Sequence, residues 1–81
     1  MNNALEARDD ILTILLCNRI HSGLSVKSRA VRVAKTCKSI RDRTKDDGLR
    51  KLCRVTIKAV SSGYYFKTLE IIREVEIRGL S

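Results

Sequence analysis

Between Ser25 and Lys45 the cations Arg29, Arg32, Lys35, Lys38 and Arg41 recur every third residue, with Arg43 following two positions later. A three-residue step on an α-helix traces a band that drifts slowly around one side. Arg and Lys at that spacing suit phosphate oxygens, Arg as a bidentate donor and Lys as a mobile charge. A second bank, Arg50, Lys51, Arg54 and Lys58, lies a short way on. From Ser25 to Lys58 there are 12 Lys or Arg against 3 Asp, whereas the rest of the chain carries 5 basic and 6 acidic residues. The net charge of +8 is therefore a regional property, and it calls for a polyanionic partner.

Other chemistries have weaker foundations. Cys17 and His21 are four residues apart, and Cys37 and Cys53 would complete a tetrahedral zinc set. Cys37 and Cys53, however, each fit the apolar stripe of their own segment, where a free cysteine serves as a small core residue. The expectation is no metal and no cofactor. No Ser-His-Asp order, activated-cysteine motif or glycine-rich phosphate loop is present, and the acid pairs Asp9-Asp10 and Asp46-Asp47 sit where helices begin. These features point away from catalysis. Aromatic platforms for single-stranded nucleic acid are missing from the basic stretch. Its apolar positions are Val, Ala and Cys, too small to anchor in lipid headgroups.

The segments that hold these residues read as helices. Proline is absent from the 81 residues and glycine occurs four times. Val26, Ala30, Val33, Cys37 and Ile40 form the stripe opposite the cations. Four helices are expected, over approximately 4–21, 25–45, 48–61 and 64–78. Asn2 or Asn3 would cap the first, Ser25 the second and one of Asp46 and Asp47 the third, with Gly23 as the glycine stop of the first. In the first helix Leu5, Leu12, Leu16 and Ile20 widen the apolar arc beyond what one small core needs, which predicts a homodimer through those residues. A strip containing Glu6, Asp10, Thr13, Cys17 and His21 should stay polar. The stretch 52–72 also admits a β-hairpin, giving an α+β alternative, because Val55, Ile57 and Ala59 alternate with Arg54, Thr56 and Lys58.

The expectation is a single all-α domain that binds nucleic acid through its phosphates, double-stranded RNA before DNA, with little sequence specificity. The plan is similar in architecture, without a shared motif, to small helical viral proteins that dimerise and lay paired basic helices on double-stranded RNA. The alternative is an interaction module whose basic face docks on an acidic protein to regulate a signalling or transcription complex. Three cysteines without regular spacing, and no secretory pattern at the start, point to a reducing cytoplasmic or nuclear setting.

Overall fold

The computed structural model describes residues 3–79, which form four α-helices: α1 (Asn3–Ile20), α2 (Val26–Arg43), α3 (Asp47–Ser61) and α4 (Tyr65–Gly79). Among the described residues there is no strand, and 52–72 is divided between α3 and α4. Asn2 lies outside the described residues, and Asn3 is already the first residue of α1. Both internal caps follow from side-chain chemistry. Ser25 accepts from the Ser28 backbone N–H at 3.2 Å, and Asp46 accepts from that of Leu49 at 2.8 Å. Each satisfies one of the orphan donors of a first helical turn.

Two boundaries differ from the sequence reading. α2 ends at Arg43, two residues early, because Thr44 turns extended. In that conformation the Thr44 hydroxyl accepts from the Asp46 N–H at 3.2 Å and its carbonyl accepts from the Arg50 guanidinium at 2.6 Å. Among the described residues the positive-φ glycine is Gly63 and not Gly23. At φ +81° it reverses the chain after α3, and the N–H groups of Gly63 and Tyr64 return to the carbonyls of Val60 and Ala59. α1 instead unwinds through a tight turn, with Ser22 bonded to Arg19 and Leu24 to His21.

α2 packs against all three other helices, and α4 likewise. α1 and α3 flank this pair and barely meet. Ile14, Val33, Cys37, Ile40, Leu49, Cys53 and Ile72 fill the centre. Thr56 and Thr68 are fully buried as well. Their hydroxyls donate to the carbonyls four residues earlier, Leu52 at 2.8 Å and Tyr64 at 2.9 Å, so each presents its methyl group to the core without an unpaired polar atom.

The strip of α1 expected to stay polar is drawn partly inwards. Asp10 is buried and receives both arms of Arg43, Nη2 at 2.6 Å and Nη1 at 3.2 Å. Cys17 is buried too, its sulfur 3.3 Å from the Thr36 hydroxyl of α2. A polar side chain enters the interior where a neighbouring helix supplies its partner. Replacing Arg43 by Ala strands the Asp10 carboxylate, and the expected cost in urea denaturation is about 2 kcal/mol, partly recovered by Arg43→Lys.

Candidate nucleic-acid interface

A three-residue connection, 44–46, folds α3 back along α2. Cys37 and Cys53 adjoin in the core and set the register of this hairpin. Residues equally far from the connection then share a level. Arg32 lies level with Lys58, while Lys51 and Arg54 each stand one residue off the levels of Lys38 and Lys35. At 1.5 Å per residue these positions cover about 9 Å along the helices, and packed helices stand 8–10 Å apart.

The direction each bank faces follows from its neighbours. On α2, Arg29, Thr36 and Arg43 point to α1, where they meet Asn18, Cys17 and Asp10. Lys38 is therefore on the opposite flank, towards α3, Lys35 points directly outwards, and Arg32 lies on the outer edge nearer α1. On α3, Leu52 turns to α4, since it borders a groove with Ile71, Val75 and Ile11. Arg54 is on the other flank, towards α2, with Lys51 and Lys58 outermost. The two banks meet over the α2–α3 seam.

The cations are not equivalent. Arg29 is half-buried and donates to the Asn18 carbonyl at 3.0 Å. Arg41 pairs with Asp42 at 3.3 Å, Arg43 is held by Asp10, and Arg50 bonds the Thr44 carbonyl and lies 3.8 Å from Asp47. By contrast Arg32, Lys35, Lys38, Lys51, Arg54 and Lys58 are exposed and make no ion pair or side-chain hydrogen bond among the described residues. The sequence shows one continuous band; the fold separates four anchored arginines from six free cations. Lys27, which belongs to the same row of cations but lies outside its three-residue step, stands 5.8 Å from the Tyr65 ring centroid.

The predicted dimer residues remain on the surface. Leu5, Leu12, Leu16 and Ile20 are 57%, 42%, 60% and 68% exposed. They lie along the outer side of α1, away from α2.

The four candidate zinc ligands are not gathered. Among the described residues no group of three or more His, Cys, Asp or Glu is placed to hold a metal. His21 Nδ1 lies 2.8 Å from the Cys17 carbonyl and 3.6 Å from its sulfur, a pairing at the end of α1. Cys37 and Cys53 are fully buried. The Cys37 thiol is pushed up, first by the Cys53 side chain beside it and then by burial. A raised thiol has little thiolate at pH 8, and thiolate is the reactive form. Cys37 is thus expected to resist an aromatic disulfide reagent at pH 8 until the protein is unfolded in guanidinium, when all three cysteines titrate. Rapid native labelling of Cys37, located by peptide mass, would contradict the packing.

A groove of about 1000 Å³ runs between α1, α3 and α4. Aliphatic side chains (Ile11, Leu52, Ile71, Val75, Ile77) and the charged Lys67, Glu70, Arg73, Glu74 and Arg78 line it. No helix among the described residues is long and apolar enough to cross a membrane. Comparison with protein-family models, with curated proteins and with solved structures gave no match.

Proposed function

We propose that this protein binds nucleic acid through the phosphate backbone, with double-stranded RNA as the preferred form, and serves as a small RNA-sequestering factor. The observation that carries the reading is the set of six exposed cations, three on α2 and three on α3, left without acidic partners on one face. Like charges this close repel one another and cost stability, so a surface that keeps them has a use for an external anion.

The preference for a duplex rests on what accompanies the charge. Val31 and Val55 are exposed on the helices that carry the cations, but no aromatic ring lies on α2 or α3 to stack an unpaired base. A rigid pair of helices matches a regular double helix better than a pliable strand. In A-form RNA the deep major groove withholds base edges while phosphates stay reachable, which suits a surface with charge and little apparatus for reading sequence.

Mobility shifts with 20-base-pair RNA, the same sequence as DNA, and each single strand test the proposal. Duplex RNA should bind tightest, with sequence-scrambled duplexes within about threefold of each other. Tighter binding to single strands than to either duplex would refute the duplex reading.

A further inference from the structure

We infer that the outer face of α1 is a two-fold interface with a second copy of this chain, the two α1 helices running antiparallel. This rests on the surface of α1 alone and stands apart from the nucleic-acid reading. Leu5, Leu12 and Leu16 fall within a narrow arc opposite the buried Ile14, and Ile20 borders it. Leu12, Leu16 and Ile20 form an apolar patch on this 18-residue helix, with Leu5 beyond Asp9, and a small monomer has little reason to leave such a patch in water.

Two charges interrupt the strip, and they select the partner and its direction. Asp9 and Arg19 are both exposed and sit at seam positions on either side of Leu12 and Leu16. In a parallel pairing in register, Asp9 would face the partner's Asp9, and Arg19 its Arg19. In an antiparallel pairing with Leu12 level with the partner's Leu16, Asp9 comes level with the partner's Arg19. The two-fold axis repeats both relations, giving two leucine layers inside and an opposite-charge pair at each end. Sliding the helices one heptad back sets Asp9 against the partner's Leu12, burying a carboxylate against an apolar side chain. The self-complementary register is therefore unique among these arrangements. Arg19, whose side chain is 67% exposed, pairs with Glu76 of α4 at 3.6 Å and exchanges that surface contact for the partner's Asp9.

Sedimentation equilibrium of the RNA-free protein decides the matter. At about 100 µM chain, well above the dissociation constant of even a modest 10 µM dimer, wild type should show twice the 9.2 kDa chain mass. Leu12→Glu and Leu16→Glu should each weaken association at least about 100-fold and leave a 9.2 kDa species with unchanged helical circular dichroism. Asp9→Arg alone and Arg19→Asp alone should each weaken the dimer, because each places like charges at both ends. An equimolar mixture of those two variants should restore it as a heterodimer, since both ends regain opposite charges. A wild-type mass of 9.2 kDa would overturn the inference. So would a dimer that survives Leu12→Glu and Leu16→Glu, while a mixture that fails to recover would overturn the antiparallel register.

Discussion

Reversing Lys35, Lys38 and Arg54 to Glu is expected to weaken binding of duplex RNA at least about 100-fold at 0.1 M salt, with helical circular dichroism unchanged. The three side chains are exposed and unpaired on the α2–α3 hairpin. Their loss removes phosphate contacts, and the three new carboxylates repel the polyanion from the middle of its footprint. None of them holds an internal partner, so the fold has nothing to lose and like-charge repulsion across the seam falls. The matched control reverses Lys67 and Arg73, which are exposed on α4 away from this face. It makes a smaller change in net charge, and its effect on binding should stay under about tenfold because the footprint is intact. Equal losses in the two variants would mean that net charge, and no particular face, governs binding.

The largest expected effect on stability is at Ile72. It is fully buried where α4 meets the core containing Ile14, Val33, Cys37 and Cys53. Ile72→Ala removes buried aliphatic carbon and leaves a cavity that packed helices close only in part, at a cost of about 3–4 kcal/mol. A domain of this size has about twice that in total, so the thermal midpoint should fall by about 15 °C or more. Ile77, one and a half turns further along the same helix, is 59% exposed. Ile77→Ala should change stability by no more than about 0.5 kcal/mol. A similar loss at both positions would mean that α4 is docked by a different face.

Most of the framework was legible because its signals are local. The stripe Ala30, Val33, Cys37 and Ile40 is buried as its spacing demands, and Ser25 and Asp46 cap the helices they precede. The basic band was legible for the same reason. What escaped depends on groups far away in sequence. Asp10 looked like a first-turn acid, and only the fold brings Arg43, 33 residues distant, to receive it. The same contact removes Arg43 from the free cations, just as the Asn18 carbonyl and Thr44 carbonyl engage Arg29 and Arg50. Thr56 was more accessible to reasoning. It occupies a core position between Cys53 and Val60, and a helical threonine that bonds the carbonyl four residues back behaves there much as valine would. The end of α2 was misjudged because Thr44 is no helix breaker; its extended conformation is held by Asp46 of the connection and Arg50 of the next helix.

The proposed dimer and the basic face would be separable properties with a common consequence. α1 lies on the flank of α2 opposite α3, so pairing through α1 leaves the α2–α3 seam uncovered in both copies. Two such faces in one particle would bind a long duplex with higher avidity than either alone, provided their spacing allows simultaneous contact. Leu16→Glu should then reduce affinity for long duplexes more than for short ones. Its effect on a 10-base-pair RNA measures what one face contributes alone.

The most direct measurement is the salt dependence of duplex RNA binding, followed by fluorescence anisotropy from 50 to 300 mM KCl. If Arg32, Lys35, Lys38, Lys51, Arg54 and Lys58 neutralise phosphates, log K falls linearly with log salt concentration at a slope of about −5 per bound chain, equivalent to roughly a thousandfold between 50 and 200 mM. In the Lys35, Lys38 and Arg54 reversal the slope should be at least halved. No binding at 50 mM KCl, or a slope near zero, would contradict the account.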